Sequence, residues 1–328
     1  MKNIAILMGG YSSEYQISIN SGNVVYNNIK EVYNTYRIQI SKEEWTCIDS
    51  IGKEYPINKS DFTVTIDNKI VKFDCVYNTI HGTPGEDGHM QAYFFLLNIP
   101  QTSCEMYQAA LTFNKRDLLS VLRPYGIPMA TSFYYNEGDK IDVDKIISKV
   151  GLPCFVKANR AGSSYGITKV YKKEDIPNAI ENSVKEDSQV LIESFLDGIE
   201  VSVGVITYQG KTTVLPITEI VSETDFFDYK AKYEGLSNEI TPARITTKQT
   251  NAVTKLAKEI YDLLDMNGLT RSDFIFHNGE PHFIEINTNP GLSEQSIIPQ
   301  QAKVFGITLK ELFIDVIKQT LNKKSVTL

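Results

Sequence analysis

The feature that most constrains this 328-residue chain is a predicted strand near its C-terminal end. The segment PHFIEIN, from Pro281 to Asn287, alternates apolar and polar residues as a half-buried strand does. This alternation predicts Phe283, Glu285 and Asn287 on one face. A carboxylate and an amide oxygen two residues apart on one face are hard-oxygen ligands, which suit Mg²⁺ or Mn²⁺. An ordinary hairpin with a solvated acidic face also fits this spacing.

The segment RSDFIFHNGE, just upstream, predicts the partner strand of a hairpin, and Asn278-Gly279 is a strong turn signal. Asp273 on this strand would supply a third oxygen ligand. It faces Glu285 only if the loop holds an odd number of residues, such as 278–280. A strict two-residue turn would point Asp273 away unless a bulge corrects the register. The spacing leaves both possibilities open.

Composition limits the classes of protein that need to be considered. The length predicts two or three domains, and the 42% hydrophobic and 22% charged content is typical of a soluble globular protein. A net charge of −7 argues against nonspecific nucleic-acid binding. The widely spaced cysteines, without a CxxC pair, predict buried reduced thiols. No apolar run approaches the roughly 20 residues that span a bilayer, so we expect a cytoplasmic protein with no membrane partner.

The N-terminal segment predicts the opening of a doubly wound α/β domain, because a buried strand at residues 3–8 is followed by GGYSSE and a helix. The glycines do not match GxGxxG, which makes a dinucleotide site a weak prediction. Glu14 opens the helix. A carboxylate there either favours the helix dipole or binds a substrate ammonium, and the sequence does not decide between them.

A second strand, at residues 73–80, runs into HGTPGEDGHMQ. His81 therefore lies at the carboxyl end of a strand, where open α/β sheets bind ligands. A lone histidine is more often structural, so its role stays open. The N-terminal domain is predicted to end near Ser103.

The middle of the chain offers two lysines and two carboxylates as candidates. Lys115 lies in the first turn of a predicted helix, where a cation opposes the helix dipole and hints at an anion, although an exposed lysine is the safer default. Lys157 precedes the loop NRAGSSYG, which either folds over phosphates or forms a plain hairpin; it is not a Walker A loop. Glu193 and Glu200 flank the next turn, and Glu193, inside the apolar run VLIESFL, either faces solvent at a domain hinge or accepts hydrogen bonds from a ligand.

The segment 222–244, SETDFFDYKAKYEGLSNEITPAR, is polar, aromatic-rich and aperiodic. It is too long for a passive connection, and loops of this kind are often active-site lids. Lys230, Lys232 and Tyr233 would offer cations and a hydroxyl group to a phosphate. A mobile surface loop is the alternative. The last helix is predicted to begin at Thr308 with a capping box.

In their order, these segments resemble the D-alanine–D-alanine ligases of the ATP-grasp superfamily. The resemblance covers nearly the whole chain and rests on GGYSSEYQISINSG, HGTPGEDGHMQ, FVKANRAGSSYG, DYKAKY, and RSDF with EINTNPGLSEQSIIP. It implies an α/β (α+β) chain, with an ATP-grasp fold behind an N-terminal doubly wound parallel-sheet domain. The N-terminal domain, residues 1–103, would bind substrate. Residues 104–194 would form the central ATP-grasp subdomain, and residues 195–328 would form the C-terminal subdomain with the metal site and the lid.

The resemblance also implies roles for individual residues. The catalytic positions would be Glu14, Ser163, Tyr233, Arg271 and Ser296, and the substrate-binding positions His81, Gly291 and Ile297. ATP would contact Lys115, Lys157, Glu193, Phe195, Leu196, Glu200 and Lys232. Two Mg²⁺ (or Mn²⁺) ions would be bound by Asp273, Glu285 and Asn287. Within these sets, Arg271 would steady the acyl-phosphate and tetrahedral intermediate, and Tyr233 would bond to Ser163.

The implied activity is ATP-dependent ligation of two D-alanines through an acyl-phosphate, giving ADP and phosphate, for peptidoglycan precursor synthesis. The AKY motif of the lid favours an amine over D-lactate as second substrate, while D-serine stays open. The segment 158–161, ANRA, departs from the common family pattern. A homodimer is expected because the family is often dimeric. The alternatives are another ATP-grasp carboxylate–amine ligase with a different acceptor, or a nucleotide-binding regulator without catalysis.

Overall fold

The computed structural model describes residues 1–162, 166–222 and 237–323. The helices are α1 Tyr15–Ile29, α2 His89–Leu96, α3 Met106–Phe113, α4 Lys115–Leu122, α5 Val143–Val150, α6 Ile176–Val184, α7 Thr247–Leu263, α8 Ile297–Phe305 and α9 Leu309–Asn322, with 3-10 turns at Arg123–Tyr125 and Lys173–Asp175. The strands of the N-terminal sheet are β1 Asn3–Gly9, β2 Asn34–Ile40, β3 Trp45–Ile48, β4 Glu54–Asn58, β5 Thr63–Ile66, β6 Lys69–Val71 and β7 Cys75–Asn78. The remaining strands are β8 Ser132–Asn136, β9 Cys154–Ala158, β10 Thr168–Val170, β11 Gln189–Ser194, β12 Gly198–Tyr208, β13 Lys211–Val214, β14 Thr218–Ser222, β15 Ser237–Ile240, β16 Leu269–His277 and β17 Glu280–Asn287.

The N-terminal sheet has the strand order β6-β5-β4-β3-β2-β1-β7. Strand β1 is parallel to both β2 and β7, whereas β2 to β6 pair antiparallel. Side chains of β1 alternate between two faces: Ile4 and Ile6 pack with helices α1 and α9, and Ala5 and Leu7 pack with α2. A strand buried on both faces is the mark of a doubly wound sheet, as predicted. The antiparallel extension was not predicted.

Two antiparallel sheets make up the rest of the molecule. The central sheet has the order β10-β9-β11-β8, and the third has the order β15-β14-β12-β16-β17 with β13 paired to β12. The segment 222–244 was predicted to be a loop, and that prediction is wrong for Ser237–Ile240, which forms β15 and pairs with β14. Main-chain hydrogen bonds to β14 form this strand, and the pattern of its side chains does not predict it.

Helices α3 and α4 pack on the third sheet. Leu118 and Leu122 lie in one buried cluster with Phe274 and Phe283, whereas the central sheet has a separate cluster around Val156. The predicted domain limits at residues 103 and 194 stay predictions. All four cysteines are free and buried, as expected. Within the described ranges, no helix has both the length and the apolar character needed to cross a bilayer.

The hairpin of β16 and β17 combines both of the possibilities that the sequence left open. Its turn holds only Asn278-Gly279, and a register shift follows between Asp273 and Phe274. The bulge restores the alignment, so Asp273 pairs directly with Glu285. The two carboxylates are therefore cross-strand neighbours.

The same bulge corrects the predicted faces of β17. Phe283 was expected beside Glu285 and Asn287, but it is buried in the same cluster as Ile286. The extra residue in the bulge changes the alternation between positions 283 and 285. Glu285 and Asn287 are thereby left on the opposite side, where they line a cavity.

Candidate active site

A cavity of about 400 Å³ lies between the N-terminal domain and the third sheet. Nine of the predicted site residues line it: Glu14, His81, Lys115, Arg271, Glu285, Asn287, Gly291, Ser296 and Ile297. Glu86 and Glu239, which the sequence reasoning did not single out, also line it. Residues more than 200 positions apart in sequence thus meet around one space of substrate size.

Glu14, in the cavity lining, immediately precedes the first residue of α1. A Cβ atom on Gly162 would come within 2.9 Å of Glu14 Oε2, so the loop after β9 lies against the Glu14 carboxylate. The loop that was predicted to cover phosphates therefore also borders the cavity beside Glu14.

His81 is buried, and both of its ring nitrogens have protein partners. Nδ1 lies 2.7 Å from the carbonyl oxygen of Asn289, and Nε2 lies 3.2 Å from Ser21 Oγ. Burial lowers the pKa of His81, because the imidazolium loses its hydration. A neutral ring with the proton on Nδ1 satisfies both contacts.

Lys115 connects the loop after β9 to the acidic hairpin. Its Nζ donates a 2.7 Å hydrogen bond to the carbonyl oxygen of Ala161 and lies 3.6 Å from Glu285 Oε2. Its side chain is only 13% exposed, which keeps the charge inside the cavity region. An ammonium there would attract an anion that enters between these elements.

Lys157 and Glu193 form a buried ion pair on neighbouring strands, with 2.7 Å between Nζ and Oε2. Burial disfavours the charge on Lys157, but the carboxylates of Glu193, Glu285 and Glu200 outweigh it and raise the pKa overall. Phe195 packs near Phe155 at 6.1 Å between ring centroids. The predicted ATP-binding residues from β9 to β12 thus form a second group, coupled electrostatically to the first.

Arg271 and Asp273 make a two-bond ion pair on β16. The guanidinium donates to both carboxylate oxygens at 3.1 and 2.9 Å, and Ser202 Oγ donates to Asp273 as well. Burial opposes the charge on Arg271, but Asp273, with Glu285 and Glu239, raises its pKa above the ordinary value. Arg271 therefore keeps its positive charge at the wall of the cavity.

The predicted metal ligands lie together, but they differ in their present contacts. Asp273 is engaged by Arg271, whereas Glu285 and Asn287 line the cavity. In residues 1–162, 166–222 and 237–323, no cluster of three or more His, Cys, Asp or Glu side chains would hold a metal by itself. Two carboxylates and one amide oxygen fit Mg²⁺, which usually completes its shell with water and phosphate oxygens.

Gly291, also in the cavity lining, faces the start of α8. A Cβ atom on Gly291 would come within 2.8 Å of Ser296 Oγ and 3.3 Å of its Cβ, so a side chain here would displace Ser296. Ser296 is the N-cap of α8, and its hydroxyl lies 2.8 Å from Ser293 Oγ. The first N–H groups of a helix, starting at Ile297, suit a carboxylate.

Glu86 is a buried carboxylate that sequence reasoning missed. Oε2 accepts a 2.6 Å hydrogen bond from Gly82 N, and Oε1 accepts one of 3.1 Å from Asn289 N. Burial and the nearby charge of Glu14 raise its pKa to about 8, although these backbone donors and Arg271 oppose the shift. The sequence feature that could have identified Glu86 is the presence of an acidic residue inside the glycine-rich HGTPGEDG turn.

The raised pKa of Glu86 predicts a pH-dependent stability. The unfolded carboxyl titrates near pH ~4.3. Above that value the folded state retains a proton that the unfolded state has lost, so the free energy of unfolding falls as pH rises towards 8, by up to about 1.4 kcal/mol per pH unit. Urea unfolding at several pH values should show a shallower decline for Glu86→Gln. Equal slopes for both proteins would contradict the shift.

Three predicted site residues, Ser163, Lys232 and Tyr233, lie outside the described residues, as does Lys230. The remaining predicted residues form the two groups above.

Comparison with known proteins agrees with this arrangement. Residues 3–104 match the family model "D-ala D-ala ligase N-terminus" and residues 121–318 match "D-ala D-ala ligase C-terminus". A D-alanine–D-alanine ligase from Christiangramia forsetii is 60% identical over 324 residues, which cover 98% of this chain and 99% of the relative.

Solved structures give the same result. D-alanyl-alanine synthetase A from Vibrio cholerae matches with a TM-score of 0.87 and 27% identity over 98% of each chain. The D-alanine–D-alanine ligase from Bacillus anthracis complexed with ATP matches with a TM-score of 0.78 and 28% identity, over 98% of this chain and 97% of that chain. The predicted ATP-grasp fold class is confirmed. The two family models and the 60% identity show that this chain belongs to the D-alanine–D-alanine ligase family.

Proposed function

We propose that the chain joins two D-alanine molecules into D-alanyl-D-alanine, with ATP converted to ADP and phosphate, for peptidoglycan precursor synthesis. The single observation that carries the proposal is the meeting of Glu14, Lys115, Arg271 and Glu285 around one cavity. An ammonium-binding carboxylate, phosphate-binding cations and metal-binding oxygens are the groups that this reaction needs in one place.

ATP would lie between the central and third sheets. Lys115 and Lys157 would contact its phosphates, since both cations are buried beside carboxylates that ATP and metal can replace as partners. Phe195 and Leu196 would hold the adenine, with Glu193 and Glu200 bonding to adenine and ribose. Lys232 and Tyr233 would close over the site from the lid, with Tyr233 bonded to Ser163.

Two Mg²⁺ (or Mn²⁺) ions would be held by Asp273, Glu285 and Asn287. The bound metal would neutralise charge on the β- and γ-phosphates. Asp273 bonds to Arg271 through both carboxylate oxygens, and the same guanidinium would also bond to substrate oxygens.

In the first step, Glu14 would bind the ammonium of the first D-alanine and direct its carboxylate towards the γ-phosphorus. A bond forms between a carboxylate oxygen and phosphorus, the bond from phosphorus to the bridging oxygen breaks, and ADP leaves. Lys115 and Lys157 would stabilise the negative charge on the transferring group. The product is an acyl-phosphate, which is a far better acylating agent than a carboxylate.

In the second step, the amine of the second D-alanine, having lost a proton, would attack the acyl carbon. The bond from the acyl carbon to the phosphate oxygen then breaks, and the attacking nitrogen gives up a proton, which leaves with the phosphate as the peptide bond is completed. Arg271 and the backbone N–H groups near Gly291 would stabilise its oxyanion. Ser296 and the start of α8 at Ile297 would bind the carboxylate of the second D-alanine.

We further propose a cytoplasmic homodimer, on the basis of the family resemblance, with the domain limits given above. Residues 1–103 would carry much of the D-alanine site, while 104–194 and 195–328 would enclose ATP.

The proposed function is tested by mass spectrometry of products formed from ATP, Mg²⁺ and D-alanine. We expect D-alanyl-D-alanine and ADP in equal amounts, and neither product when D-alanine is omitted. Parallel reactions with D-serine or D-lactate as added acceptor would define the second site. Turnover only with an acceptor other than D-alanine, or ATP binding with no dipeptide at all, would refute the assignment.

A further inference from the structure

Asn289 lies between the predicted metal ligand Asn287 and Gly291, and its side chain reaches into the N-terminal domain. Nδ2 donates to the carbonyl oxygens of Ile80 at 3.2 Å and Gly85 at 3.0 Å, and Oδ1 accepts from Ser103 Oγ at 3.0 Å. The residue is only 7% exposed. Both polar atoms of the buried amide group thus form hydrogen bonds with residues more than 180 positions away in the sequence.

The main chain of Asn289 is fixed to the same domain. Its N–H is shared between Glu86 Oε1 at 3.1 Å and Asn287 Oδ1 at 3.0 Å, and its carbonyl oxygen accepts from His81 Nδ1 at 2.7 Å. A carbonyl oxygen can only accept, which places the proton of neutral His81 on Nδ1 and leaves Nε2 as acceptor for Ser21 Oγ.

Ser21 completes the set, because its Oγ also accepts a 3.2 Å hydrogen bond from Leu292 N. The residues from 289 to 292 are therefore tied to α1 and to the turn after β7. Leu292 is also buried in the cluster that contains Ile298 and Phe313. Hydrogen bonds and apolar packing therefore act together to hold this segment.

We propose that Asn289 is a positioning residue that holds the Pro290–Leu292 segment against the N-terminal domain, so that the Gly291 region meets the developing oxyanion in the second step. The inference rests on the proposed ligase reaction. It also gives His81 a role through Asn289, in place of direct contact with substrate, because both ring nitrogens are already bonded to protein.

This position predicts an unequal effect on the two steps. Phosphoryl transfer depends on Lys115, Lys157, Glu285 and Asn287. Of these, Asn287 contacts Asn289, through the backbone N–H, which a change of the Asn289 side chain leaves in place. Peptide formation depends on the placement of the oxyanion donors, and a misplacement of about 1 Å can cost on the order of 10²-fold in rate. If the Gly291 segment is displaced, the acyl-phosphate would persist longer in the site, and water would hydrolyse it.

The test is the substitution Asn289→Leu, which keeps the branching and the number of side-chain heavy atoms as well as the backbone N–H and C=O. We expect dipeptide formation to fall by about 10- to 100-fold. Phosphate released per dipeptide should rise from one to several, while KM for ATP stays within about twofold because the nucleotide residues are unchanged. A variant that only folds less well would lower both products in the same proportion.

Thr320→Val is the matched control. Thr320 is buried in α9, far from the cavity in sequence, and its Oγ1 donates 2.8 Å to the carbonyl oxygen of Val316. It removes one buried hydrogen bond without touching the Asn289 contacts, so its ratio of phosphate to dipeptide should stay at one. A ratio of one for Asn289→Leu as well would overturn the proposal.

A second measurement does not depend on turnover. The crystal structure of Asn289→Leu should show Gly291 displaced from its position relative to His81 by about 1 Å or more, since all three side-chain bonds are lost. An unmoved segment would overturn the positioning role whatever the activity. If the segment moves but the wild-type protein forms no dipeptide, the ligase assignment fails while the hydrogen-bonded attachment of the segment stands.

Discussion

Replacing Glu285 by glutamine is expected to reduce dipeptide formation by about 10³-fold or more, because the loss of several kcal/mol of charge stabilisation at the triphosphate corresponds to that factor. Glu285 pairs directly with Asp273 across the hairpin and lies 3.6 Å from Lys115. The substitution keeps the size of the side chain but removes the negative charge that would hold a divalent cation. Initial rates should be measured over a range of Mg²⁺ concentrations.

The control for this variant is Glu280→Gln. Glu280 is exposed at the other end of the same strand, and its substitution should leave the rate unchanged. Higher Mg²⁺ should recover part of the activity of Glu285→Gln, as expected for weakened metal binding. A near-wild-type rate for Glu285→Gln at low Mg²⁺ would refute the assignment of Glu285 as a metal ligand.

Replacing Arg271 by methionine is expected to lower the rate of dipeptide formation by about 10²–10³-fold, the usual cost of losing one donor to a developing oxyanion. The guanidinium is nearly buried, keeps its charge and lies at the cavity wall. Because the interaction is made in the transition state, we expect kcat to fall much more than KM for D-alanine rises. Steady-state kinetics with varied D-alanine measures both.

Arg244→Met provides the comparison for Arg271→Met. Arg244 makes an analogous two-bond pair with Glu219, but its side chain is 62% exposed and the pair lies outside the cavity lining. Glu219 is largely buried, but it keeps the hydrogen bond from the backbone N–H of residue 244, and neither residue lines the cavity, so this variant should retain its activity. A similar loss in both variants would show that removing an arginine ion pair, not losing an oxyanion donor, causes the effect.

Much of the site could be predicted from sequence because its parts follow local rules. The Asn278-Gly279 dipeptide and the flanking alternation predicted the hairpin, and the structure contains it. The capping box at Thr308 and Glu311 is present in the structure. These features depend on neighbouring residues, which the sequence displays directly.

Other features depend on distant residues and were missed for that reason. The bulge after Asp273 has no local residue signature, so the face of Phe283 was predicted wrongly. Glu86 and Asn289 gain their significance from contacts about 200 positions away. Strand β15 is ordered by its pairing with β14, although its own residues show no period.

The central claim is that acidic oxygens of the late hairpin and lysines from the middle of the chain surround one triphosphate. It is tested most directly by a crystal structure with a non-hydrolysable ATP analogue and Mn²⁺, in which anomalous scattering locates the metal. We expect Mn²⁺ at about 2.0–2.2 Å from oxygens of Glu285 and Asn287, with Lys115 and Lys157 on the phosphates. Manganese bound elsewhere, or a triphosphate that contacts neither lysine, would contradict the account.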